Sequence, residues 1–379
     1  MSALGRSLPE GEALRIAVIA PSRHPIRQPY PGGLEASVWE RVRGLRARGH
    51  SVTLCGPEGS DFLTGPRQFV LPRPKWGTIA EASDTAYPDG YLELIERSMG
   101  VAMAYLARNR RRFDIVDNHS LHGTPLSWSD RIGLPMVTTL HTPPLPAMLA
   151  AQRGIVGDRH RFHAVSRHTA GEWADVGVDA TVFPNGVDTE RWAPGHGGDR
   201  WTWFGRIVPE KAPHLAIDAA RLAGRKIVVA GRVGDAEYFA TEIEPRLGSH
   251  ARYVGPLRQS ALARLVGRSA VVLVTPMWEE PFGLVLAEAL ATGTPVAAFD
   301  AGGVREVIGG LPGTEVVPRG DVVSLSLAAD ELAARAEYPA YRAEIRAAAA
   351  LQFSLDRRHD DLERLMWSWV GDEQRMAVA

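Results

Sequence analysis

Cysteine is almost missing from this sequence: Cys55 stands alone in 379 residues. No intrachain disulfide and no thiolate-built metal site can form, as suits a reducing cytoplasm. Neither sign of charge dominates, with 43 Lys and Arg against 44 Asp and Glu. The broad positive field of a nucleic-acid binder is therefore absent. No run approaches the roughly 20 apolar residues that span a bilayer. The short apolar stretch near the start, Ile16 to Ala20, is too brief for a signal-peptide core and reads as a first strand. Asp-x-Asp, His-Glu-x-x-His and Cys-x-x-Cys do not occur. Without a short acidic pair to hold a divalent cation on a diphosphate, neither metal nor other cofactor is expected. A Gly-x-Gly-x-x-Gly fingerprint and a Walker lysine loop are missing too, which disfavours a dinucleotide oxidoreductase.

What is present is the composition of a soluble globular protein, 45% apolar and 23% charged, with length enough for two cores. Short β-rich runs alternate with helical patterns. RIAVIA, HSVTLC, FDIVDN, PMVTTL and RFHAV read as strands, and Leu34 to Arg48, Gly90 to Arg108 and Ser166 to Asp175 as helices. A Pro/Gly-rich passage, Pro184 to Gly198, suits a hinge. The rhythm then restarts with WTWFG, RKIVVAG, ARYVG, AVVLVTP and TPVAAFD as strands, and helices at Pro213 to Leu222 and Leu284 to Thr292. Near-continuous apolar strands imply parallel sheets covered by helices on both faces. The expected architecture is α/β, with two Rossmann-like domains facing each other across a cleft. The N-terminal one covers 1–185 and the C-terminal one 186–353. A final helix, about 354–379, carries Leu355, Leu362, Leu365, Met366 and Trp369 on overlapping faces and is expected to cross back to the first domain.

Ligands in such folds bind beyond the carboxyl ends of the strands, and the loops there carry the informative residues. Glu280 precedes Pro-Phe-Gly and a helix that runs past Glu288. Backbone N–H groups of Phe282, Gly283 and Leu284 are expected in its first turn, free to bind a hydroxyl or phosphate oxygen. Two carboxylates about two turns apart can grip two polyol groups. The plainer account is an acid favoured by the helix dipole and a solvated glutamate. Arg206 and Lys211 follow a strand end, where two cations can neutralise a pyrophosphate; a surface pair of Arg206 with Glu210 is the simpler alternative. Gly32 and Gly33 open a helix after the first strand, the usual place for phosphate approach, though a glycine pair is also a common turn. His119 and His141 each follow a strand end and are expected to face the cleft, able to contact sugar or acceptor. Asn185 marks the hinge, as a further contact or as a turn residue. The basic runs Arg41 with Arg43, Arg46 with Arg48, and Arg108 with Arg110 to Arg112 read as solvated helix ends, with a patch for anionic lipid or acceptor as the alternative.

Taken together, these segments resemble glycosyltransferase family 4, the retaining transferases of GT-B fold, over most of the chain. The matching pieces come in order: GG-L-E with its helix, TTLHTP, PNGVD, FGR-x4-EK, YVG, and Glu280 to Glu288 followed by ATGTPV and GGVREV. The resemblance implies a hexosyltransferase moving sugar from a nucleoside-diphosphate sugar, UDP favoured, to an unnamed hydroxyl acceptor in glycan, glycolipid or natural-product synthesis. It implies that Arg206 and Lys211 bind the diphosphate, aided by the backbone at Gly33. Glu280 would hold the donor sugar, Glu288 the ribose, and the backbone at Tyr253 and Val254 the base. His141 would sit by the reacting carbon. Retention of configuration, with a donor phosphate oxygen assisting on the same face, is implied in the same way. Ala212 and Met277 depart from the family's frequent Gly and Ser. A hydrolysing epimerase and a non-catalytic nucleotide-sugar-binding protein are the competing readings. The expected location is the cytoplasm, with peripheral contact at the inner membrane face compatible. The loop 72–90, rich in Pro, Gly, Trp and Tyr, reads as a candidate sugar-binding loop.

Overall fold

The computed structural model describes residues 13–76 and 86–376; the middle of the loop 72–90 lies outside the described residues. The N-terminal half alternates β1 (Arg15–Ile19), α1 (Gly33–Ala47), β2 (Ser51–Pro57), β3 (Val70–Leu71), α2 (Tyr91–Arg108), β4 (Ile115–Asn118), α3 (Gly123–Ile132), β5 (Met136–Leu140), α4 (Pro146–Gln152), β6 (His160–Ala164), α5 (Arg167–Ala174) and β7 (Thr181–Val182). Its seven strands are all parallel, in the order β3-β2-β1-β4-β5-β6-β7.

The C-terminal half repeats the scheme with β8 (Arg200–Phe204), α6 (Pro213–Leu222), β9 (Ile227–Ala230), α7 (Ala236–Tyr238), β10 (Ala251–Tyr253), α8 (Gln259–Gly267), β11 (Ser269–Val274), α9 (Leu284–Ala291), β12 (Val296–Phe299), α10 (Val304–Ile308), β13 (Thr314–Val317), α11 (Val322–Arg335) and α12 (Pro339–Phe353). Its six strands are parallel in the order β10-β9-β8-β11-β12-β13. The apolar run in β11, SAVVLV, is buried along its whole length, because helices cover both faces of the sheet.

The chain passes between the halves twice, side by side. Val187 N–H donates to Phe353 C=O at 2.7 Å, and Leu355 N–H to Val187 C=O at 3.2 Å. From there α13 (Leu355–Met376) returns to the first half. It buries Leu362, Met366, Trp369 and Val370 among Val38, Val42 and Leu45 of α1 and Ile16 and Val18 of β1. Each such side chain contributes about 1.5–3 kcal/mol of transfer energy. A second tie between the halves is electrostatic: Glu306 on α10 accepts from the Arg167 and His168 N–H groups at 2.8 and 3.1 Å. It thereby satisfies the unpaired first turn of α5.

Two expectations are corrected. Most of the first basic run is not solvated: Arg41 is buried with Nε 3.7 Å from the fully buried Asp117 carboxylate, and Arg43 pairs with Glu40 and Asp188. Arg48 pairs with Asp360 of α13. These charges hold α1 against its neighbours. Of the three runs, the last, Arg108 with Arg110 to Arg112, is exposed throughout and fits the solvated description. Helix α9 begins at Leu284 as expected, but Phe282 precedes it and Gly283, with φ +75, is its N-cap rather than a first-turn residue, a conformation glycine adopts without a Cβ penalty. Among the described residues no helix is long and apolar enough to cross a membrane.

Candidate functional site

A cleft of about 490 Å³ lies between the halves and is lined from both. Its C-terminal wall is built at the ends of β8 and β11. After β8 the chain reaches Arg206, makes a tight turn over Pro209–Lys211, and enters α6 through Ala212. Ala212 has φ 43 and ψ 53, left-handed backbone that costs a non-glycine residue roughly 1 kcal/mol. That geometry explains why glycine is frequent there. Thr275, just beyond β11, fixes the turn: its Oγ1 lies 2.9 Å from both the Lys211 and Ala212 carbonyls and accepts from Trp203 Nε1 at 3.1 Å.

This turn delivers the Lys211 ammonium onto the Glu280 carboxylate and over the Trp278 ring, 4.6 Å from its centroid. Trp278 Nε1 donates to Glu280 Oε2 at 3.0 Å. Burial lowers the Lys211 pKa, with the Glu280 charge opposing that shift. Arg206 does approach Glu210, at 3.5 Å. It also reaches across the cleft: a Cβ on Gly32 would sit 3.5 Å from Arg206 Cδ.

Two helix N-termini face each other here. Gly32 is the extended N-cap of α1 and gives no side-chain cap, so first-turn N–H groups stay open. A Cβ on Gly33 would lie 3.2 Å from Leu284 Cδ1, in the first turn of α9. Both N-termini present partial positive charge to the cleft. Deeper along α9, Glu288 lines the same cleft, its pKa pushed up to about 8 by burial and then by the Glu40 charge. Phe282 turns its ring into the core, edge-on to Phe353, while its backbone lines the cleft with Gly283.

On the opposite wall His141 lines the cleft, and Asn185 does so near the hinge while accepting from Ser37 Oγ at 3.2 Å. His119 does not face the cleft: it is fully buried, and its Nδ1 backs onto His141 Nε2 at 2.9 Å. The position after β4 puts it one layer behind. Tyr253 and Val254 stand outside the lining as well. The Val254 N–H is spent on Val229 C=O at 3.0 Å, and Tyr253 Oη donates to Gly231 C=O at 2.8 Å. Pro256, Leu257 and Arg232 form that end of the cleft instead. Thr275, Trp278 and Asp117 carried no reading in the sequence; the one usable signal was Trp278, two residues before Glu280. Among the described residues no three or more His, Cys, Asp or Glu side chains group to hold a metal ion.

Comparison with known proteins agrees over most of the chain. The family model described as Glycosyltransferase Family 4 matches residues 31–191, and that of Glycosyl transferases group 1 matches 192–348. A D-inositol 3-phosphate glycosyltransferase of Mycobacterium avium is 30% identical over 404 aligned positions, covering 93% of each chain. A phosphatidyl-myo-inositol mannosyltransferase of Mycobacterium tuberculosis is 28% identical, covering 78% of this chain and 80% of its own. Among solved structures, Anabaena HepE in complex with UDP and glucose superposes with TM-score 0.68 at 19% identity, over 94% of this chain and all of that one. AviGT4, a glycosyltransferase of avilamycin A biosynthesis, does so with TM-score 0.63 at 23% identity, over 94% of this chain and 98% of its own. With two successive models spanning both halves and a relative aligned nearly end to end, the chain belongs to glycosyltransferase family 4 and is a glycosyltransferase of GT-B fold.

Proposed function

We propose that the protein transfers a sugar from a nucleoside-diphosphate sugar, UDP-linked in the first instance, to a hydroxyl acceptor with retention of configuration and without a metal ion. The observation that carries this reading is the convergence in one cleft of Arg206, Lys211 and two opposed helix N-termini. Between them they supply the positive charge that a departing diphosphate requires. Glu280, fixed by Lys211 and Trp278, holds hydroxyls of the donor sugar, and Glu288 holds those of the ribose. The base lies against Pro256 and Leu257, and His141 stands beside the reacting carbon. The bond from the anomeric carbon to the diphosphate breaks first, giving an oxocarbenium-like centre. The acceptor oxygen then attacks on the same face and passes its proton to a diphosphate oxygen.

A thermal-shift panel of UDP-, GDP- and ADP-sugars tests the donor, because a bound ligand raises apparent stability by mass action. Turnover assays with chelator, with and without acceptor mixtures, test the rest. Conversion of UDP-GlcNAc with no acceptor present would favour the epimerase reading. No shift and no consumption with any nucleotide sugar would overturn the proposal.

A further inference from the structure

Beside the cleft lies a second hollow of about 780 Å³ whose charge is one-sided. It shares His24 and Pro31 with the cleft, and Arg27, Arg73 and Arg258 line it against a single carboxylate, Asp61. Trp39 Nε1 already donates to that carboxylate at 2.9 Å. The three arginines are exposed, and among the described residues none has an ion-pair or hydrogen-bond partner for its guanidinium.

The convergence is built by the backbone. Ile26 N–H donates to Ser60 Oγ at 2.9 Å, and Asp61 N–H to Ile26 C=O at 3.0 Å, so the segment bearing Arg27 is fastened to the loop at Gly59. A Cβ placed on Gly59 would meet Arg27 Nη1 at 3.7 Å and Arg73 Nη1 at 3.8 Å. Both guanidinium tips therefore point at one spot. The third charge comes from the other half of the molecule. Gln28 Nε2 donates to Gln259 Oε1 at 3.4 Å and Gln259 N–H to Gln28 Oε1 at 3.3 Å. This reciprocal pair draws Arg258, the preceding residue, to the rim. Like charges gathered without a counterion repel, and an anion between them turns that repulsion into attraction. Guanidinium forks match the oxygens of a phosphate group bidentately, and three of them suit its multiple charge and oxygens better than a single carboxylate.

We infer that the hollow is a subsite for a phosphate group carried by the acceptor, held by Arg27, Arg73 and Arg258. The inference rests on reading the adjoining cleft as the transfer site, since the shared rim at His24 and Pro31 is what connects a bound phosphate to it. The enzyme thus selects phosphorylated acceptors, and the subsite is complete only when the two halves are closed.

Calorimetric titration of the full chain with inorganic phosphate, at constant ionic strength and with saturating UDP, tests it. One saturable site is expected in the wild type. Its affinity should fall by roughly tenfold or more in Arg27→Glu/Arg73→Glu, as two charge-assisted contacts are lost, and stay unchanged in Arg110→Glu/Arg111→Glu. UDP affinity should be equal in all three. No saturable phosphate uptake by the wild type, or equal uptake by the first double variant, overturns the inference. Failure of UDP to bind would speak against the donor reading, while the phosphate comparison would still be decided by the variants. Flotation with phosphatidylcholine vesicles, with and without phosphatidylinositol, separates the sources. Arginine-dependent flotation assigns a lipid headgroup; indifference to vesicles assigns a free phosphorylated acceptor.

Discussion

His119 stands directly behind His141, its Nδ1 2.9 Å from His141 Nε2, while its own Nε2 lies 3.1 Å from Asp117 Oδ1. Burial would raise the Asp117 pKa, but Arg41 and His119 outweigh it and hold the carboxylate below the ordinary range. His141 is pushed well below its usual value by burial, then by His119 and Arg41. A neutral imidazole offers one donor and one acceptor, and the partner of one nitrogen decides what the other presents. His119 is thus a positioning residue for His141.

His119→Ala should therefore lower kcat by roughly tenfold or more while leaving the UDP Kd near the wild-type value. His119→Gln, whose amide can still meet His141, should recover part of the loss. The wild-type pH profile gives a second check. Because His141 stays neutral below the usual histidine range, kcat should show no fall centred at pH 6.5; such a fall would contradict the assignment.

Lys211 and Glu280 share burial and each other's charge, so removing one does not equal removing both. Lys211→Ala should cut kcat/KM by roughly 100-fold, as loss of a preorganised charge does. It leaves Glu280 with its Trp278 partner, and the protein folded. Glu280→Ala strands an ammonium in a site that already disfavours its charge, and should cost more stability, about 2–4 kcal/mol. The double variant should be more stable than Glu280→Ala alone, as read by urea denaturation. Wild-type turnover in either single variant would sink the site assignment.

Glu288 predicts a pH slope in stability. Its folded pKa is raised to about 8, above that of an exposed glutamate. From about pH 4.5 to about 8 the unfolded chain gives up this proton while the folded protein keeps it. Stability therefore falls as pH rises through that window and levels off above it. Glu288→Gln should remove this component, gaining roughly 2 kcal/mol over wild type at pH 9 after allowance for partial solvent access. Chemical denaturation at pH 5, 7 and 9 measures it. Above pH 8, where Glu288 is ionised, the same variant should bind UDP more weakly, since a neutral amide accepts ribose hydroxyls less well than a carboxylate. An unchanged difference between variant and wild type across the three pH values would show that Glu288 ionises normally.

Much of this site was legible because the apolar runs were unambiguous. RIAVI, IVVA and SAVVLV have no polar alternation, which dictated parallel sheets and so the loops that carry Arg206, Lys211 and Glu280. The elements that escaped reading lack that contrast. Strands β3 and β7 have two residues each, and α11 exposes Val323 and Leu327, which blurs its face. The depth of a residue was harder still. His119 and His141 occupy equivalent sequence positions after β4 and β5, yet only one reaches the cleft. The basic run at Arg41 looked like any solvated helix end, because its partner Asp117 is 76 residues away and only the fold brings them together.

Gly44 shows how the returning helix is held. It lies in the middle of α1, and a Cβ there would clash with the imidazole of His359 on α13, closest to its Cε1. His359 is buried, its pKa lowered to about 3 by burial and then by Arg41, Arg48 and Arg43. It therefore packs as a neutral ring against bare backbone. Gly44→Ala should cost about 1–3 kcal/mol through overpacking, although alanine is the better helix former by nearly 1 kcal/mol. His359→Ala alone should also destabilise, by opening a cavity. In the double variant the new methyl group occupies space that the ring vacated, so the combined loss should be smaller than the two single losses added. Urea denaturation of the four proteins at pH 7.5 measures that coupling. Acid supplies an independent reading. Below pH 6.5 the unfolded chain protonates this histidine and the folded protein does not, so stability drains away as pH falls. His359→Ala should lessen that drain. Strictly additive losses together with an unchanged acid slope would mean that the ring does not rest on Gly44.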